Sequence, residues 1–370
     1  MLTPTVSRRS FGKIASLIAA GSALPFNSEM AFAQASRVDA PAGAVMINAN
    51  ENPLGPCKEA LDALHSIAGS GGRYMFSEGE KVLRILAEQE GLKTDHVRIY
   101  PGSSAPLHQT VLAFCSPSKG LVMGDPGYEA GATAAAVIGA PVTRVPLTKT
   151  FAHDVKAMAS VKNAGVIYIT NPNNPTGTTT PKADIEWLMA NKPAGSILML
   201  DEAYMHISPN PQFNSALVAA DKDIVILRTF SKIYGMAGLR AGAVLARPDL
   251  ISKLDQFSNN GMLPITGMAA AAASLQAKGL LEQRRKIMGD TREDVFAYLD
   301  KKKLRYTPSV TNCFMVDTGK PTQQVIAAMA KENVYIGRPW PVWPTHVRIT
   351  VGTPAEMEKF KAAFNKVLSV

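Results

Sequence analysis

The chain reads as an α/β protein: a large domain on a mostly parallel sheet with helices on both faces, joined to a smaller α+β domain. Two observations carry this reading. From residue 71 to 262, short apolar runs alternate with helical stretches, the pattern that builds parallel sheets from strand, helix and strand units. Several of those runs also stop at polar, turn-forming residues, where open α/β sheets place their ligand contacts.

Residues 36–70 read as an extended arm followed by a helix from Pro56 to Ile67, whose start the proline marks. The strands then run Val97 to Tyr100, Leu121 to Gly124, Val142 to Pro146, Val166 to Thr170, Ile197 to Leu200, Ile224 to Leu227 and Ala243 to Ala246, with a helix after Tyr128. An alanine-rich helix beginning near Gly267 has no turn signal until late and is expected to link the two domains. Beyond it, strands at Cys313 to Val316 and Val347 to Val351 and helices at Gln323 to Lys331 and Ala355 to Leu368 give an α+β lobe. The expected division is therefore 71–262 for the large domain and 36–70 plus 263–370 for a discontinuous small one, after a leader at 1–35. No internal repeat stands out.

Composition excludes several classes. At 370 residues, 46% hydrophobic and 19% charged, the chain has material for a large core and more than one lobe. The net charge of +9 is scattered and partly carried by the leader, so it implies a modest attraction for anions and no nucleic-acid partner. Cys57, Cys115 and Cys313 show no C-x-x-C spacing, and the six histidines no H-E-x-x-H, so metal catalysis has no support. One disulfide stays open in an oxidising compartment.

Lys232 is the most informative residue. It ends the run Arg228-Thr229-Phe230-Ser231-Lys232, just after an apolar strand, and Arg240 follows in Gly238-Leu239-Arg240. An amine among hydroxyls, with an arginine near, suits an aldehyde cofactor held covalently and clamped by its phosphate; pyridoxal 5'-phosphate fits, its ring acting as an electron sink. Asn171-Pro172-Asn173-Asn174-Pro175-Thr176-Gly177 forms a turn-rich loop after one buried strand. Asp201 ends another, and is positioned to keep a pyridine nitrogen protonated.

The series Asn50 to Pro56 (N-E-N-P-x-G-P), Pro126 to Tyr128 (P-G-Y), N-P-N-N-P-T-G, D-E-A-Y at Asp201 to Tyr204, T-F-S-K, G-L-R and Val347 to Gly352 (V-R-I-T-V-G) resembles the fold-type I aminotransferases of class I/II. Within them it is most similar to the histidinol-phosphate subgroup, over about residues 45 to 370. The resemblance implies a pyridoxal-phosphate enzyme in which Lys232 forms the internal aldimine and shuttles the substrate proton. Asp201 would pair with the ring nitrogen, Tyr204 and Asn174 with the 3'-oxygen, and Tyr128 would stack on the ring face. Gly102, Ser103 and Ser104 would meet the phosphate at a helix N-terminus, with Thr229, Ser231 and Arg240 completing the cup. Arg348 would hold the substrate α-carboxylate through its planar fork, and Arg338 matches the position that contacts a substrate phosphate. Asn50 joins the substrate-binding set, with Trp340 or Trp343 lining the pocket. Tyr74, beside Arg73, would reach the phosphate of a neighbouring subunit, which implies a homodimer.

Taken singly, each residue has a structural reading: Asp201 as a helix cap, Tyr128 as core, Arg348 as an edge-strand charge, Arg338 as a solvated loop residue. The family order favours the functional one. Leu54 replaces an aromatic residue and Ser104-Ala105 an acidic pair usual in the subgroup, which leaves the substrate open. The expected reaction moves an amino group between an amino acid and a 2-oxo acid. A decarboxylase of the same fold, acting on a threonine-phosphate-like substrate, and a non-catalytic pyridoxal-phosphate-binding protein are the alternatives; no early G-x-G-x-x-G supports a nicotinamide dehydrogenase.

The N-terminus adds an expectation about location. Ser7-Arg8-Arg9-Ser10-Phe11-Gly12-Lys13 resembles a twin-arginine export signal, followed by the apolar stretch Ile14 to Leu24 and the small residues of Ala31 to Ala35. That stretch is too short and too rich in Gly and Ser to span a bilayer. The expected mature chain starts near Gln34 or Ser36 and is periplasmic; the alternative is a disordered tail on a cytoplasmic protein.

Overall fold

The computed structural model describes residues 40–258 and 262–369, so the leader lies outside the described residues. In chain order the strands are β1 (Val45–Ile47), β2 (Val97–Tyr100), β3 (Gly120–Asp125), β4 (Val142–Pro146), β5 (Ala164–Thr170), β6 (Ile197–Asp201), β7 (Ile224–Thr229), β8 (Gly242–Leu245), β9 (Arg305–Tyr306), β10 (Cys313–Asp317), β11 (Val334–Ile336) and β12 (His346–Thr350). A seven-stranded sheet has the order β2-β8-β7-β6-β5-β3-β4. β3 to β7 pair in parallel, and β8 runs against both of its neighbours.

The central strands of this sheet are buried along their whole length, which is why they read as unbroken apolar runs rather than alternating ones. Apolar clusters lie on its two faces: one gathers Val122, Ile167, Leu198 and Ile226, the other Leu121, Tyr168, Met199 and Val225. Alternation of side chains along each strand puts neighbours in sequence into opposite clusters.

The helix Lys58–Ala68 starts after Cys57, two residues inside the expected proline. It packs on Ile265–Gln276, as does Phe76–Glu90, and Ala60, Val82 and Met268 share one cluster. The alanine-rich helix expected near Gly267 runs Ile265–Gln276. A second helix, Leu280–Lys301, starts after Gly279, whose φ of +72° is a left-handed conformation that favours glycine.

The C-terminal part holds a three-stranded antiparallel sheet, β12-β10-β9, and β11 pairs in parallel with β1. Val45 and Ile47 of β1 sit in the third apolar cluster with Phe314, Val347, Phe360 and Phe364. The last helix, Pro354–Leu368, is fixed by a capping box between Thr353 and Glu356. No disulfide forms among the three buried cysteines. Among the described residues no helix is long and apolar enough to cross a membrane, and no His, Cys, Asp and Glu cluster could hold a metal.

Candidate active site

A cavity of about 410 Å³ opens at the carboxyl ends of the parallel strands. Ser103, Ser104, Tyr128, Asn174, Asp201, Tyr204, Thr229, Ser231, Lys232 and Arg240 all line it, so the structure brings most of the expected site residues into one wall. Each is delivered by a strand end or the loop after it, where side chains are exposed by the stopping of the sheet while the backbone stays held.

Asp201 is the last residue of β6 and is 3% exposed. Its Oδ1 accepts the Ala203 N–H at 3.1 Å and its Oδ2 the Tyr168 hydroxyl at 3.0 Å. Burial pushes its carboxyl up to about 6, against the pull of the Ala203 N–H, the Tyr168 O–H and the Lys232 ammonium. Lys232 follows β7; its Nζ donates to the Asn50 carbonyl oxygen at 2.9 Å and lies 5.3 Å from the centre of the Tyr204 ring. Asn50 itself is buried, takes a φ of +51°, and donates from Nδ2 to the Tyr204 hydroxyl at 3.0 Å. It therefore braces the lysine and the tyrosine from behind the cavity wall.

The cavity wall also holds a group of donors. The Thr229 hydroxyl donates to Ser231 Oγ at 3.0 Å, and Arg240 Nη1 reaches the same oxygen at 3.4 Å. Arg240 is held by the carbonyls of Ala237 and Pro101, at 2.8 and 3.3 Å. Ser103 and Ser104 open the helix Ser104–Phe114, whose first N–H groups favour an anion. Gly102 does not line the cavity. Its φ of +85° is a conformation that favours glycine, and a Cβ there would also push the Arg240 guanidinium aside.

These residues fit an aldehyde with a phosphate at one end and a ring nitrogen at the other. Hydroxyls, a helix N-terminus and an arginine suit the phosphate, an amine the aldehyde and a buried carboxylate the ring nitrogen, and all are gathered on one cavity.

Arg348, on β12, is fully buried. It donates from Nη1 to Asn174 Oδ1 at 3.0 Å and from Nη2 to the Asn48 carbonyl at 2.6 Å. Arg338 pairs with Glu129 and lies 4.0 Å from the centre of the Trp340 ring, whose other neighbour is Arg348 at 5.3 Å. Neither arginine is in the cavity wall. Trp340 is buried with its Nε1 on the Gly127 carbonyl, and Trp343 packs edge-on against Phe151; they do not bound this cavity. Tyr74 is 74% exposed, far more open than the wall residues.

Sequence reasoning missed Tyr168, Thr170, Glu51, Glu129 and Asn48. For Tyr168 a signal existed: it lies two residues before Thr170 on the same strand, and so on the face that leads to the cavity.

Fold and cavity define an α/β enzyme with a lysine and an anion cup at its strand ends. Residues 44–364 match the family model for aminotransferase class I and II, and the chain belongs to that family. It is 32% identical over 332 residues to a histidinol-phosphate aminotransferase of Symbiobacterium thermophilum, covering 88% of this chain and 90% of that one. An aromatic amino acid aminotransferase of Rhodococcus jostii is also 32% identical, over 86% of this chain and 89% of its own. The crystal structure of histidinol-phosphate aminotransferase from Sinorhizobium meliloti in complex with pyridoxal-5'-phosphate superimposes with a TM-score of 0.83 at 25% identity, covering 94% of this chain and 98% of that one. The chain is an aminotransferase of the fold-type I architecture.

Proposed function

We propose that this pyridoxal-phosphate-dependent aminotransferase takes the amino group of a carboxylated amino acid with an aromatic or other sizeable side chain and passes it to a 2-oxo acid. Lys232 would hold the cofactor, with Ser103, Ser104, Thr229, Ser231 and Arg240 around its phosphate, and the bound ring would take up the electrons left when the substrate Cα loses its proton. Lys232 would then be the base that takes that proton and delivers it to the cofactor's C4'. Asp201 would hold the ring nitrogen's proton, Tyr204 and Asn174 would orient the ring oxygen, and Tyr128 would support its face.

One observation carries the substrate preference. Arg348 is joined to the cavity through Asn174, whereas Arg338 is already engaged by Glu129 and Trp340 and so has less to offer a substrate phosphate. Arg348 takes the α-carboxylate by exchanging the Asn48 carbonyl for a charged acceptor. A panel of amines with pyruvate and with 2-oxoglutarate tests this. Histidinol phosphate turning over faster than every carboxylated amine, with Arg338→Ala abolishing that rate, would overturn it.

The active site is shared in a homodimer, with Tyr74 reaching the partner's phosphate cup; the exposure of Tyr74 and Phe76, at 74% and 66%, supports an apolar contact there. Mixing Lys232→Ala with Tyr74→Phe chains should then restore activity through one intact site, and a fully active monomer would refute the arrangement. The paired arginines Arg8 and Arg9 direct export by the twin-arginine route to the periplasm. Replacing both with lysine should leave the precursor in the cytoplasm, and mature periplasmic protein from that variant would end the reading.

A further inference from the structure

We propose that Tyr168 is a positioning residue for Asp201: its buried hydroxyl fixes one carboxylate oxygen and so aims the charge at the ring nitrogen of the cofactor. The inference rests on the reading of Asp201 as the partner of that nitrogen.

The register places the pair. On β5 and β6, Thr170 stands opposite Asp201 and Tyr168 opposite Met199, so the tyrosine reaches the carboxylate on the diagonal, from the same strand face that carries the cavity residue Thr170. Asp201 ends its strand, and a terminal side chain could swing among several rotamers. The two protein donors on it are the Ala203 N–H on Oδ1 and the Tyr168 O–H on Oδ2. Together they hold the carboxylate plane.

A purely space-filling role does not account for the hydroxyl. The ring packs among apolar residues such as Leu107 and Met123, where phenylalanine would do as well, and a phenol 2% exposed must find an acceptor or carry a desolvation cost. Burial, and then the charge of Asp201, hold the phenol well above its usual range, so it remains a donor wherever the enzyme works. The other ionisable groups facing the pair are Lys232 after β7, and Tyr128 after β3, which bears on the tyrosine. Tyr204 and Arg240 line the same cavity, and Glu202 turns away to Arg228.

The test is the dissociation constant of pyridoxal 5'-phosphate as a function of pH, read by absorbance during reconstitution of the cofactor-free protein. Without the hydroxyl, Asp201 protonates at higher pH. Tyr168→Phe should therefore bind the cofactor within about twofold of the unaltered protein at pH 8 and roughly tenfold more weakly near pH 6, the size of one lost hydrogen bond to a charged group. Asp201→Asn should bind weakly with little dependence across this range. A tyrosine that only packs would lower the melting temperature and weaken binding equally at every pH, and either that result or an unchanged profile would overturn the proposal. Should Tyr168→Phe not fold, 4-aminophenylalanine at position 168 keeps a donor of the same shape and must retain the unaltered profile; a shifted profile there counts against the idea. If Asp201→Asn itself keeps the normal profile, it is the reading of Asp201 that fails, and this inference with it. If only Tyr168→Phe does, the role of Asp201 stands without the tyrosine.

Discussion

At the strand ends of the large sheet, Asp201, Lys232 and Arg240 face the cavity directly. Arg348 and Arg338 are not in its wall, their guanidinium groups being turned to Asn174, Asn48 and Glu129. The first group already lines the cavity, Asp201 held by Ala203 and Tyr168, Lys232 by the Asn50 carbonyl and Arg240 by the carbonyls of Ala237 and Pro101, so a ligand entering it meets polar groups in place. In the second, a ligand must exchange partners with groups the protein supplies, so the affinity it gains is a difference between two satisfied states. On the proposed function, cofactor binding would be built in and substrate choice conditional.

The largest effect that could break this comparison lies at Lys232. Lys232→Ala should lower kcat by more than about a thousandfold, since a positioned base alone is worth 10² to 10⁴, and borohydride should no longer fix the cofactor to the peptide that contains position 232. A loss of under tenfold would place the base elsewhere.

Next comes the charge at Asp201 in cofactor-free protein. Its carboxyl titrates near 6 when folded and near 3.8 when unfolded, so the folded state binds the extra proton between those values. Stability from this group is present at low pH and is lost as pH rises through that window, by about 3 kcal/mol in all. Buried His153, held down to about 4, acts in the opposite direction and favours folding at higher pH. Urea unfolding of Asp201→Asn against the unaltered protein, at pH 4 and pH 7, cancels the histidine, and equal differences at both pH values would contradict the burial of the carboxylate.

Arg348→Ala should cost kcat/KM about 10-fold to 150-fold for carboxylated amino acids, mostly through KM, as a charged hydrogen-bonded contact of about 1.5 to 3 kcal/mol implies. Steady-state kinetics on two amino donors would show it. Arg338→Ala should change the same constant by less than about fivefold, because its charge is already met by Glu129, with the result measured against the same donors. A larger loss at position 338 than at 348 would exchange the roles of the two arginines.

Residues of both groups were named from the sequence, but the partners that hold the second out of the cavity wall were not legible, for one physical reason. Asp201 and Lys232 end or follow apolar runs, so local pattern alone puts them at the mouth of a sheet. Arg348 was visible as a residue in a motif, but its partners Asn48 and Asn174 lie 300 and 174 positions away, and no spacing rule reaches that far. The same distance hid Glu129 behind Arg338, 209 positions on. Of the fold, the long buried strands were read nearly residue by residue. β1 and β11, three residues each, are too short to carry a period, and Phe76–Glu90 was not anticipated at all. The turn at Gly279 was passed over because the alanines before it continue a helix so well.

One strand has a consequence for how the molecule is assembled in time. β8 runs against its neighbours, so that its first residue, Gly242, lies opposite both Tyr100 and Thr229 and draws the loops that follow those two strands together around Arg240. The contact from Arg240 to Pro101 spans 139 positions of chain. A folding polypeptide must close that long loop, at an entropic cost met before any binding returns it, and contacts of this sequence separation form slowly. Until they form the cup is incomplete, so tight capture of a phosphate there would be expected as a late event in folding.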